Sequence, residues 1–88
     1  MIDTIQSLRQ HQLVMLRRLR MRPLTEFELV AEVVDHSGYT EEQASGHMPV
    51  WLDELRDAGL IWSGTLHNGD GQQMMAAALT RAGADLVA

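Results

Sequence analysis

Apolar positions recur at helical spacing in the first half of the chain and shift to a strand-like rhythm in the second. From about Thr4 to Met21, residues Ile5, Leu8, Met15, Leu16 and Leu19 gather on one helical face, with Gln12 in the middle of that stripe. Leu13, Val14 and Met21 fall outside it. They are either scattered surface apolars or a second stripe that meets a dimer partner. Pro23 stops this helix, because proline disfavours helical geometry in the residue before it. Thr25-Glu26-Phe27-Glu28 then matches a capping box, in which the threonine hydroxyl accepts from the third helical amide and Glu28 reaches back. The second helix runs to about Asp35. Its spacing predicts Phe27, Val30, Ala31 and Val34 inward and Glu28, Glu32 and Asp35 outward.

His36-Ser37-Gly38-Tyr39 reads as a turn, with Gly38 supplying a positive φ. Thr40-Glu41-Glu42-Gln43 is a second capping box. Pro49 lacks an amide donor and crowds the carbonyl four residues earlier. A short helix at Thr40–Ser45, a break at Gly46–Met48 and a main helix at Pro49–Ala58 are therefore expected, with a single kinked helix as the alternative. Met48, Trp51, Leu52 and Leu55 share one face, and Gly59 sits where a helix ends in the left-handed conformation. Leu60-Ile61-Trp62 opens a strand. Asn68-Gly69 signals a two-residue hairpin, with the return strand over Gln73–Leu79. The alanines of that strand favour helix, but the hairpin needs a partner. Thr80 can cap a last short helix, Arg81–Val87.

Eighty-eight residues, 45% of them hydrophobic, suit one soluble domain with one core, spanning 1–88. Within it, 1–22 is an arginine-rich helix, 25–62 the central helical region, 63–79 a hairpin and 80–88 a closing helix. The absence of cysteine excludes disulfides and thiolate metal sites. No apolar run reaches the ~20 residues of a membrane span, and the first residues lack the features of a signal peptide, so a cytoplasmic protein is expected.

The net charge of −5 is unevenly distributed. Arg9, Arg17, Arg18, Arg20 and Arg22 against Asp3 leave +4 in the first 24 residues. Arg56 and Arg81 against eleven carboxylates leave −9 in the rest. Such asymmetry suggests that the arginine-rich end meets something acidic: a nucleic acid, another protein or a second copy. The arginines also suit a structural role, since Arg17 and Arg18 flank the apolar stripe and Arg20 and Arg22 lie at the negative end of the helix dipole.

Enzymatic chemistry finds little support. His11, His36, His47 and His67 are spread over different elements, and none has the spacing of a helical metal pair. His47 near Glu42 is the one pairing worth inspecting. No phosphate loop or nucleophile–base set is present, and no cofactor or metal is expected. Trp51 and Trp62, each among apolar neighbours, read as core.

Three stretches carry a resemblance to a known family: Phe27 to Val33, Val50-Trp51-Leu52-Asp53-Glu54-Leu55-Arg56-Asp57-Ala58-Gly59-Leu60-Ile61, and Ala78 to Leu86. Together they resemble the winged helix-turn-helix of the MarR and PadR-like regulators over roughly Leu13 to Val87. The resemblance implies a mainly α fold with a small β-hairpin (α+β): a three-helix core, a two-stranded wing and a short C-terminal helix. It also implies a small, often dimeric transcriptional regulator. Its recognition helix would present Ser45, Gly46, His47, Val50, Asp53, Glu54 and Asp57 to DNA, and its wing His67, Asn68, Gln72 and Gln73. The chain departs from the family in having no Lys or Arg from Ser63 to Gln73 and five carboxylates against one arginine from Thr40 to Ala58. Two readings therefore stand: a DNA-binding regulator, helped by its arginines or a dimer partner, or an acidic winged-helix module or small inhibitor that binds a basic protein surface.

Overall fold

The computed structural model describes residues 9–67 and 69–88. Among these, four helices and three short strands follow in the order α1 (Gln10–Leu19), β1 (Leu24–Thr25), α2 (Glu26–His36), α3 (Glu41–Asp57), β2 (Ile61–His67), β3 (Gln73–Leu79) and α4 (Arg81–Leu86). The strands form an antiparallel sheet of order β1-β3-β2. No described helix is long and apolar enough to cross a membrane.

Local signals place most of these boundaries. Thr25 Oγ1 accepts from the Glu28 amide at 3.3 Å, and Glu28 Oε1 accepts from the Thr25 amide at 3.2 Å. Thr40 and Gln43 repeat the exchange at 3.1 and 3.0 Å. Each box satisfies donors that the first turn of a helix leaves free. α3 ends as its glycine requires: Gly59 has φ 76°, its amide donates to Arg56 O at 2.9 Å, and the Leu60 amide donates to Leu55 O at 3.0 Å. This is a Schellman motif, and buried Leu55 and Leu60 accompany it. Thr80 Oγ1 accepts from the Gly83 amide at 3.1 Å to start α4.

In one respect α3 departs from expectation. It is a single helix through Gly46 and Pro49, with no break at Gly46–Met48. Ser45, Gly46 and Pro49 all lie on its solvent side, so the carbonyl deprived of an amide partner is beside water. On the opposite side Ala44, Met48, Trp51, Leu52 and Leu55 form an unbroken buried stripe. Packing along that stripe outweighs the defect.

α1, α2 and the sheet close on this stripe. Met15, Leu16 and Leu19 of α1 are buried as the spacing predicts; Ile5 and Leu8, also assigned to that face, lie outside the described residues. α2 presents Leu29, Val30 and Val33 to the core. The expected inward set is thus corrected: Phe27 is 63% exposed, Ala31 is exposed and Val34 only half-buried. The run Leu29–Val34 satisfies helical spacing on two adjacent faces, and packing chooses the one with Leu29 and Val33. Trp62 is likewise not core but 70% exposed, because Ile61 points inward and successive strand residues alternate.

Turns show two further differences. Gly38 does not carry a positive φ. The turn is made instead by Ser37, whose hydroxyl donates to Val33 O and accepts from the Tyr39 amide. In the hairpin, His67 pairs with Gln73, so the connection is 68–72, and the positive φ (80°) belongs to Gly71. The expected Asn68-Gly69 turn falls partly on Asn68, which lies outside the described residues. β1 was not foreseen. Leu24 and Thr25 pair with Ala77 and Ala76, which makes alanine-rich β3 the central strand, held by ladders on both sides.

Two substitutions test this packing by thermal or urea denaturation. Pro49→Ala restores a helical amide and should raise stability by roughly 1–2 kcal/mol after the unfolded-state effect is deducted. A Cβ at Gly83 would run into the carbonyl oxygen of Leu60. Gly83→Ala should therefore cost about 1–3 kcal/mol or more, since backbone must move.

Candidate nucleic-acid interface

α3 divides cleanly into a buried and an exposed side. Ser45, Gly46, His47, Val50, Asp53, Glu54 and Asp57 are all exposed. The middle of this surface, Ser45 to Val50, has no charged side chain. Carboxylates flank it, with Glu41 and Glu42 in the first turn and Asp53, Glu54 and Asp57 toward the end. Arg56 offsets part of the latter group, lying 3.1 Å from Asp53 and 3.9 Å from Asp57. Helix N-termini are the usual backbone anchors for phosphate. Here those of α2 and α3 carry Glu26, Glu28, Glu41 and Glu42 and are capped by threonine hydroxyls.

The side of α3 toward α1 is set by a ring cluster that the sequence did not reveal. Trp51 is buried with His11 4.0 Å away between ring centroids, Tyr39 edge-on at 5.3 Å and His47 stacked at 5.3 Å with planes 26° apart. His47, four residues before Trp51 on the same helix, thus stacks on the indole, which limits how freely its ring can turn outward. The i,i+4 spacing was legible; the arrival of His11 and Tyr39 from other elements was not. Gln12, the polar residue within the apolar stripe of α1, is buried for a reason. Its Nε2 donates to Trp51 O at 3.5 Å and Glu54 Oε1 at 3.3 Å, while its Oε1 accepts from the Arg9 amide at 3.1 Å.

The five arginines do not form one cationic patch. All are exposed, but Arg18 pairs with Glu32 at 2.9 Å, Arg22 with Glu28, and Arg20 donates to Val87 O at 3.2 Å. These contacts tie α1 and its following turn to α2 and to the chain's end. The Arg22 guanidinium, followed by the Thr25 amide, holds the Glu28 carboxyl below its ordinary pKa. Arg9 lies beside His11, whose pKa its charge helps to lower. At the hairpin, His67 and Gln73 face each other across the ladder and Gln72 is exposed beside them.

Comparison with solved structures gives a detailed likeness. A crystal structure from Thermoplasma acidophilum, of a protein proposed to be a transcriptional regulator, superposes with a TM-score of 0.72 at 26% identity, covering 88% of this chain and 70% of that one. The fold is a winged helix-turn-helix. In that fold α2 and α3 are the helix-turn-helix, β2 and β3 the wing, and β1 completes the sheet. No family model matches the sequence, and no curated protein does. The narrower resemblance to the MarR and PadR-like families therefore has no family match behind it.

His11 makes the cluster sensitive to acid. It is 7% exposed, and its Nε2 is buried without a hydrogen-bond partner among the described residues. Burial first, and the charge of Arg9 second, depress its pKa below 6.5; Glu54 opposes them. The unfolded chain therefore takes up this proton before the folded one does. Stability should be fully present above pH 6.5 and fall as the pH drops from there toward the depressed folded value. Urea denaturation at a series of pH values checks this, and His11→Phe should flatten that part of the profile.

Proposed function

We propose that the protein is a small, non-enzymatic regulator of transcription that binds duplex DNA, with α3 as its recognition helix. The likeness to a proposed regulator at a TM-score of 0.72 carries this reading, and it favours DNA over a basic protein surface. Support also comes from the uncharged stretch at the middle of the exposed face of α3. Ser45 offers a hydroxyl, His47 a ring nitrogen and Val50, 58% exposed, an apolar contact of the kind a thymine methyl accepts. The tip of the wing, with His67, Gln72 and Gln73, supplies polar groups for a flanking contact.

Charge shapes how such binding must work. Phosphate contacts supply most non-specific affinity and make it salt-dependent. With Arg18, Arg20 and Arg22 engaged within the chain, Arg9 and Arg17 are the N-terminal cations with no ion pair among the described residues. The complex should therefore depend on base-edge contacts more than on backbone neutralisation, and its affinity should fall less steeply with salt than that of a binder making many phosphate contacts.

Selection from a randomised duplex pool at low salt, followed by anisotropy titration, tests the reading. The expected result is sequence-selective binding with a salt slope of about −2 or shallower, corresponding to two or fewer neutralised phosphates. Neutralising Asp53, Glu54 and Asp57 together to Asn, Gln and Asn should tighten binding about tenfold. Three charges roughly 8 Å from phosphate each repel by about 0.5 kcal/mol in water, and 1.4 kcal/mol is tenfold. Absence of affinity for any duplex at low salt, in both wild type and this variant, would overturn the proposal in favour of the acidic protein-binding module.

A further inference from the structure

Among the described residues the sheet ends in β2. In the order β1-β3-β2 this strand pairs with β3 on one side, and no described strand lies on the other. An edge of free amides and carbonyls is a template for another strand, and proteins ordinarily guard it with charge or proline. Ile61–His67 contains no Lys, Arg, Asp, Glu or Pro.

The outer face beside this edge is apolar. Ile61 points into the core, so Trp62, Gly64 and Leu66 point outward, opposite Ala78, Ala76 and Met74 of β3. Trp62 is 70% and Leu66 51% exposed. Between these two side chains the small residues Gly64 and Ala76 leave a trough of about 410 Å³. No ionisable side chain lines it.

The sequence of β2 is nearly symmetric about Gly64. Hydroxyl residues Ser63 and Thr65 stand one position away on each side, and the large apolar residues Trp62 and Leu66 stand two positions away. If a second copy lies antiparallel with Gly64 at the centre, Trp62 of one copy falls opposite Leu66 of the other, Ser63 opposite Thr65, and Gly64 opposite Gly64. The outer-face pairs are then aromatic with aliphatic, and the inner-face pairs are hydroxyl with hydroxyl, both favourable across strands. Room exists at the ends. An open cleft of about 500 Å³ lies between Ile61–Ser63 and Arg56, Gly59, Thr80 and Arg81, where the far end of the second copy's β2 would enter.

We propose that β2 is a dimerisation strand, with two copies joined edge to edge about Gly64 so that Trp62 of each packs against Leu66 of the other. The contact is isologous: one patch serves both chains, and the two three-stranded sheets become one continuous sheet. Charge argues for a second copy as occupant. A chain of net charge −5 repels itself through most of its surface. The trough beside β2 is lined by no ionisable side chain, and the cleft at its start only by Arg56 and Arg81, so self-repulsion is least on this face. The arrangement leaves Met21 on the α1 side uncovered.

Sedimentation equilibrium over a concentration series, read together with tryptophan emission, tests the proposal. The average mass should rise toward the dimer while emission moves to the blue along the same curve, because Trp62 loses water and Trp51 is already buried. Trp62→Lys and Leu66→Lys change exposed side chains, so far-ultraviolet circular dichroism should be unaltered. Each should weaken the dimer roughly tenfold or more, and the double variant should be monomeric. A wild-type chain that stays monomeric throughout overturns the proposal, as does a dimer that survives the double variant. A dimer lost in Met21→Lys but retained in the double variant would place the contact on α1 instead, and a dimer formed without an emission change would exclude Trp62 from it.

Discussion

The buried stripe Ala44, Met48, Trp51, Leu52 and Leu55 along α3 is the surface on which the other elements assemble. α1 reaches it through Met15 and Leu16 and through the Gln12 bridge to Trp51 O and Glu54. α2 adds Leu29 and Val33, and the sheet adds Ile61 and Ala77. Because burial along the stripe continues on both sides of Pro49, the helix tolerates a missing backbone bond at its solvent face. A break at Gly46–Met48 would have pulled either Ala44 or Trp51 out of register with the core. Continuity of α3 is thus a consequence of packing rather than of helix propensity.

That continuity also determines what α3 can offer outward. One helix presents Glu41 through Asp57 as a single surface, uncharged in the middle and acidic at both ends. The electrostatics differ from those of a binder that relies on phosphate. Arginines that read as a basic cluster along the chain hold α1 to α2 and to the final residues through Arg18–Glu32, Arg22–Glu28 and Arg20–Val87. Such exposed pairs contribute little stability singly. Their effect here is to leave less positive charge free for a partner, which makes the proposed DNA contact one of selectivity more than of strength.

The wing has a parallel division. Its tip is polar at His67 and Gln73, while its body is apolar at Trp62 and Leu66. A solvent-facing tryptophan beside an unpaired strand edge is an uncommon arrangement for a monomer, because it combines an adhesive side chain with an adhesive backbone. The neighbouring edge is treated differently. β1 covers Ala76 and Ala77 of β3, and just beyond it Glu26 Oε1 accepts from the Met75 amide at 3.1 Å.

Much of the architecture was legible in the sequence. Both capping boxes, the glycine reversal at Gly59, the limits of β3 and the threonine start of α4 depend on residues only a few positions apart, so local chemistry determines them. The exposed α3 positions were legible too, because helical spacing assigns faces once one face is known to be buried. Other features depend on what lies opposite in space. Two overlapping apolar stripes on α2 satisfy the same periodicity, and only contact with α1 and α3 buries Leu29 and Val33 while leaving Phe27 outside. Two residues at β1 are too few to show a period. Trp62 faces water because Ile61 was chosen for the core. His11 and Tyr39 meet Trp51 from separate elements. The sequence by itself determined where elements begin, end and reverse, since those choices are made by neighbours along the chain. Only the tertiary structure decided which apolar face was covered, which helix defect was tolerated and which arginines remained free, since those choices are made by neighbours across it.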